Sequence, residues 1–222
     1  MLKTQAFLEA HGLTLPIVQA PMAGSNGATL AAAVSGAGGM GSLPCAMLSP
    51  GGIREEIAAI RAVTANPFNV NFFTHTDPTP DEAAQARWRA RLRPYYDEMG
   101  LDPDSLSNAP GRRPFDADTC ALMEELAPPV ISFHFGLPEA GLLRRLKAVG
   151  IRIWGCATTV AEARWLAERG VDAVIAQGAE AGGHRGIFLT DDPVRDASSQ
   201  VGTLALVPQV VDAVGWPAID LA

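Results

Sequence analysis

The sequence predicts an α/β fold, a parallel (β/α)8-type barrel that is incomplete, with about six to seven strands present. Three observations predict it. Short runs that are apolar almost throughout recur along the chain, segments with helical spacing lie between them, and polar or glycine-rich residues gather just after the runs. Apolar runs without alternation suit strands buried on both faces of a parallel sheet, and repeated β-then-α succession calls for right-handed crossovers. Loops that follow the strand ends all face one rim of a barrel, where such folds place their sites.

The elements follow in order. Strands are expected at 16–20 (PIVQA), 38–43 (GGMGSL), 68–73 (FNVNFF), 129–135 (PVISFHF), 151–157 (IRIWGCA) and 172–177 (DAVIAQ). Helices are expected in TLAAAVSGA, PGGIREEIAAIRAV, DEAAQARWRARLRPYYDEM, DADTCALMEELA, PEAGLLRRLKAVG and VAEARWLAERG. Ser49 ahead of Pro50 sets a capping hydroxyl before a proline at the first helical position, and Thr159 with Glu162 has the spacing of a capping box. Gly150 and Gly170 stand where helix C-termini need a left-handed residue. The segment 77–128 exceeds one crossover helix and carries Pro78, Pro80, Pro94, Pro103, Pro110 and Pro114, so it reads as an insertion with a mobile loop near DPDSLSNAPGRRP. The whole chain, 1–222, reads as a single domain around it.

A seventh strand begins at WPAIDLA, where the sequence ends, whereas an eight-stranded barrel ordinarily takes ~250 residues. A barrel without its last units exposes strand edges and helix-packing surface, so self-association is expected.

Bulk properties exclude several functions. A net charge of −7, with no basic cluster beside interleaved aromatics, disfavours nucleic acid and anionic membranes. The N-terminus lacks the apolar run of a signal peptide and no stretch approaches the length of a transmembrane helix, so a cytoplasmic protein is expected. Cys45, Cys120 and Cys156 are odd in number and include no C-x-x-C pair, which argues for reduced, buried thiols and against a zinc or other metal site.

The rim loops carry the chemistry. In QGAEAGGHRG (177–186), Gly182 and Gly183 let backbone N–H groups approach an anion or a planar ring, and Gln177 offers an amide to a heterocycle's edge. A turn around Pro21 and Met22 follows the first strand, and the amide of Asn71 faces the same rim. Each has a plain alternative: the glycines a simple turn, Asn71 a structural hydrogen bond, His134 a satisfied core histidine. Glu180 and Arg185 are adjacent charges that can pair with each other or with nearby loops. His11 and His75 read as surface or loop residues. His184 follows the glycines on a rim loop, where an imidazole with pKa ~6.5 can exchange protons with a substrate.

QAPMAG (19–24), SFHFGLP (132–138) and AQGAEAGGHRG (176–186), in this order, resemble the bacterial class I branch of the nitronate monooxygenase family, the former 2-nitropropane dioxygenases; PQVVDAV (208–214) agrees. The resemblance covers nearly the whole chain. It implies an FMN-dependent TIM barrel that oxidises alkyl nitronates, of the propionate 3-nitronate type, with O2 to a carbonyl compound and nitrite. It places flavin contacts at Ala20, Pro21, Met22 through its backbone, Asn71, Gln177, Gly182 and Gly183. His184 matches the catalytic histidine, a general base toward neutral nitroalkanes, and His134 the substrate side. The family's seventh strand continues roughly as P-V-I-A-A-G-G-I, and its glycines, with a second glycine loop after the eighth strand, hold the FMN phosphate. Here Ile219 to Ala222 departs from that pattern, so the resemblance implies a C-terminally truncated or frameshifted member that binds FMN weakly or not at all. The alternatives are a related FMN-barrel reductase of the NADH:quinone or enoyl-acyl-carrier-protein type, and a non-catalytic remnant.

Overall fold

Unbroken apolar runs pair as parallel strands because helices cover one face of the sheet and side chains of the barrel interior cover the other. The computed structural model describes residues 3–77, 79, 81–103, 113–215 and 218–221. Six strands form one parallel sheet in sequence order: β1 (Gly41–Pro44), β2 (Phe68–Phe73), β3 (Val130–His134), β4 (Arg152–Ala157), β5 (Ala173–Gln177) and β6 (Ala218–Leu221). The helices are α1 (Lys3–His11), α2 (Ala28–Gly36), α3 (Pro50–Val63), α4 (Glu82–Glu98), α5 (Ala117–Leu126), α6 (Ala140–Ala148), α7 (Val160–Glu168), α8 (Pro193–Ala197) and α9 (Thr203–Val214). Neighbour-to-neighbour order with helical crossovers is barrel winding. Among the described residues the ring stays open, with β1 and β6 at its ends.

Alternate residues of each strand serve the two faces. Phe68, Val70 and Phe72 join Leu43, Ile131, Phe133 and Ile153 against Ile53, Ile57 and Ile60 of α3 and Met123 of α5. Ala157, Val174 and Ala176 pack against Leu166 of α7 and Leu206 of α9. On the inner face, α1 sends Phe7 and Leu8 into a cluster with Met40, Val130, Trp154 and Ile175. The expected caps are present. Ser49 accepts from the Gly52 N–H, Thr159 accepts from the Glu162 N–H, and Gly150 and Gly170 have φ of +82° and +70°.

Several expectations are corrected. The strand at 16–20 shrinks to a bridge between Val18 and Met40, because Gln19 replaces the next rungs with its side chain: its Oε1 accepts from the Ser42 N–H and its Nε2 donates to the Ser42 carbonyl. The strand expected at 38–43 occupies 41–44, since Gly38 is left-handed at φ +98°. His11 is buried: its Nδ1 donates to the Phe7 carbonyl at 3.0 Å and its Nε2 accepts from Trp154 Nε1 at 3.1 Å. Helices α1, α8 and α9 add to the sequence reading. The WPAIDLA strand is seen as β6, with Trp216, Pro217 and Ala222 outside the described residues.

The chain divides into two compact units, one of Met1–His75 with Pro114–Ala222, the other of Thr76–Arg113. α5, inside the expected 77–128 insertion, therefore belongs to the sheet unit. In the smaller unit α4 is capped by Asp81, which accepts from the Ala84 N–H, and has no buried residue. Pro78, Pro80 and the loop residues Asp104–Arg112 lie outside the described residues. Among the described residues no helix is long and apolar enough to cross a membrane.

Candidate active site

Because Phe68, Val70 and Phe72 face the helices, Asn69, Asn71 and Phe73 face inward along β2, Asn71 and Phe73 in its C-terminal half. Buried amides need partners, and neighbouring strands supply them. Asn69 Nδ2 donates to Ser42 Oγ at 3.1 Å and Ser132 Oγ at 2.9 Å; Asn71 Nδ2 donates to Ser132 Oγ at 2.9 Å and to the Ser132 carbonyl at 3.2 Å. Both asparagines thus have a structural role. Yet Asn69 Oδ1 has no partner, and Asn71 Oδ1 accepts no hydrogen bond among the described residues.

Beyond β5 the chain runs as a loop without a ladder, and side chains hold it. Gln177 Nε2 donates to the His184 carbonyl at 2.8 Å, and Gln177 Oε1 accepts from the Gly186 N–H at 2.7 Å. His134 Nε2 reaches the same His184 carbonyl at 2.8 Å. A carbonyl only accepts, so in the neutral ring His134 carries its proton on Nε2. The Arg185 guanidinium folds back onto the carbonyls of Gly178 and Ala179. Glu180 turns instead to the start of α9, accepting from the Thr203 N–H at 2.8 Å; its own backbone N–H first, and then that of Thr203, hold its carboxyl below the usual range. Glu162, 0% exposed, accepts from the Thr158 N–H and hydroxyl and from the N–H groups of Phe188 and Leu189, all at 2.7 to 3.1 Å.

Aromatic rings frame the histidines. The exposed His184 ring lies 5.2 Å from Phe73 and 6.2 Å from Phe135, while His134 lies 5.7 Å from Phe73 and 4.6 Å from Phe135. Burial first, and then the nearby charges of His184 and Arg185, bring the His134 pKa down to about 4 against a raising bond to the His184 carbonyl. Phe135 has φ +71°, a left-handed conformation costly for an aromatic residue and characteristic of functional sites.

The structure therefore brings His134, Gln177 and His184 into direct contact, with Asn71 one strand away. The 20–22 turn joins through a chain of bonds: Asn26 accepts from the Met22 N–H at 2.7 Å and donates to the Ser42 carbonyl, which neighbours Asn69. The Met22 N–H is thereby committed to its own turn, and the Ala20 carbonyl accepts from Gln19 Nε2. Pro21 lies beside them, half-buried. Gly182 and Gly183 are exposed, and a Cβ added to either would meet nothing within 4 Å. Packing does not explain Gly182. The exposed backbone edge at Gly182 and Gly183, and an Asn71 Oδ1 that accepts no hydrogen bond among the described residues, are each features that a flat heterocycle with N–H and anionic groups, as FMN has, could use. Among the described residues no group of His, Cys, Asp or Glu is placed to hold a metal.

Sequence reasoning missed Ser42, Asn69, Ser132, Phe73 and Phe135, and read Glu162 only as a cap partner. One signal was available for Asn69: it shares the inward face with Asn71, two residues on in the same strand.

A family model described as nitronate monooxygenase matches residues 5–220. The chain belongs to the nitronate monooxygenase family. It is 41% identical to a nitronate monooxygenase of Paraburkholderia phytofirmans over 97% of its own length and 58% of that protein. It is 42% identical to one of Pseudomonas aeruginosa over 92% of its length and 57% of that protein. Among solved structures, nitroalkane oxidase from Streptomyces ansochromogenes superposes with a TM-score of 0.82 at 36% identity, covering 98% of this chain and 60% of the other. FabK from Thermotoga maritima gives 0.67 at 27%, covering 97% and 53%. This nitronate monooxygenase family chain thus spans a little under three-fifths of the curated relatives named here.

Proposed function

We propose that this rim oxidises alkyl nitronates, of the propionate 3-nitronate type, with FMN as electron acceptor and O2 as final oxidant, yielding a carbonyl compound and nitrite. One observation carries the reading: an exposed histidine on a clamped loop stands beside an open glycine edge, at the strand ends of a nitronate monooxygenase family fold. Asn71, Gly182, Gly183 and the turn at Ala20, Pro21 and Met22 would hold FMN, with Gln177 beneath the same loop. When bound, FMN supplies the electron acceptor that no side chain here provides.

The residues do the rest. A nitro group acidifies its α-carbon, so the His184 imidazole suffices to take the α-proton of a neutral nitroalkane. A preformed nitronate needs no base. Phe73 and Phe135 give the imidazole an apolar wall. His134, kept neutral near pH 7, adds no positive charge beside His184 when that ring gains its proton.

The test is nitrite release in air from the FMN-supplemented protein given a nitronate, with NADH as the competing electron source. Nitrite formed in step with nitronate loss supports the reading. NADH consumption without nitrite would replace it with a nicotinamide-driven reductase, and neither activity would leave a non-catalytic protein.

A further inference from the structure

We propose that His134 and Gln177 are positioning residues that aim His184 through its main-chain carbonyl. The proposal deepens the assignment of His184 as the base and rests on it. Two N–H donors converge on one carbonyl at 2.8 Å each, one from the end of β3 and one from the end of β5. Together they use both of its lone pairs. The Gln177 amide then closes on the Gly186 N–H, so three hydrogen bonds from two side chains hold the segment 184–186 at both ends. These side chains leave rigid strands, while the segment itself belongs to no helix or strand.

The fit extends to shape. A Cβ at Gly186 would stand 2.8 Å from His134 Cε1, 3.2 Å from its Nδ1 and 3.1 Å from Cys156 Sγ, so the imidazole is wedged directly beneath the loop. One nitrogen of His134 is committed to the His184 carbonyl and the other faces the place a Gly186 Cβ would take. This gives His134 a role in the loop in place of a contact with substrate. A base displaced by about 1 Å loses on the order of 100-fold in rate, so a clamp on the residue's own peptide group has a kinetic consequence.

The experiment compares turnover of a neutral nitroalkane with that of its preformed nitronate on the FMN-supplemented protein. Only the first requires the base. His134→Leu should lower the neutral-to-nitronate ratio ~10–100-fold, and His134→Gln, whose amide keeps a donor at similar reach, should restore most of it. Gln177→Glu removes the donor to His184 while keeping the acceptor for Gly186, and should also lower the ratio; it serves if His134→Leu does not fold. Independently of activity, nitrogen-15 spectra of the imidazoles should show His134 neutral with its proton on Nε2, and the Gly186 amide should exchange slowly in the wild type and fast in the His134→Leu or Gln177→Leu protein. An unchanged ratio in the folded variants, or a His134 ring bare at Nε2, overturns the proposal. His184→Ala separates the two claims: if it leaves the ratio unchanged, the base assignment fails, and the tautomer and the Gly186 exchange alone decide the clamp.

Discussion

Within one loop, two glycines have opposite reasons. Gly186 admits the His134 ring, so Gly186→Ala should displace that ring and lower stability by about 1–3 kcal/mol in a thermal or denaturant melt. Gly182 faces open space, so Gly182→Ala should leave the melt within about 0.5 kcal/mol while weakening FMN binding in a fluorescence titration. Equal effects of both on the melt would remove the distinction. The histidines make a second residue-scale prediction. Burial lowers the pKa of His11 and of His134, the latter to about 4, so the unfolded chain binds more protons once pH falls below ~6.5. Their contribution is fully present above that pH and is lost as pH falls toward 4; for His134 it amounts to at most about 3 kcal/mol at 1.36 kcal/mol per unit. Urea midpoints from pH 7 to 4.5 should decline, and less steeply in His134→Gln; a flat profile would contradict this. The exposed loop position of His184 was legible because it stands after a glycine pair, whereas His11 was misread because its partner, Trp154, lies far away in sequence.

At the scale of elements, the loop after β5 depends on side chains from three others. Glu162 was legible as the last residue of a capping box, three positions after Thr159, and its N–H does bond Thr159. Its carboxylate goes elsewhere, to Thr158 and across to Phe188 and Leu189, because a buried carboxylate gathers every donor within reach and sequence spacing shows only the local ones. Glu162→Ala leaves buried N–H groups unmatched and should lower stability by about 3 kcal/mol, with the amides of Phe188 and Leu189 losing hydrogen-exchange protection. Protection unchanged at those two amides would refute the anchor. The first strand shows the reverse limit: PIVQA has strand composition, yet a glutamine side chain takes the place of its ladder.

For the whole molecule, the β-then-α succession pointed to a parallel α/β fold and the polar loops after the strands to a barrel; five of the six expected strands pair in order and the start of a seventh pairs as β6. The runs carry that information because each strand is buried on both faces and mostly apolar. They carry none about the inner polar layer, where Ser42, Asn69 and Ser132 meet only after the strands pair. The proposed function requires this rim to pass electrons from a nitronate to FMN. The most direct measurement mixes the protein, at saturating FMN and without oxygen, with a nitronate or with NADH and follows the flavin absorbance. Rapid bleaching by the nitronate and little by NADH is expected. Bleaching by NADH alone, or by neither, would contradict it.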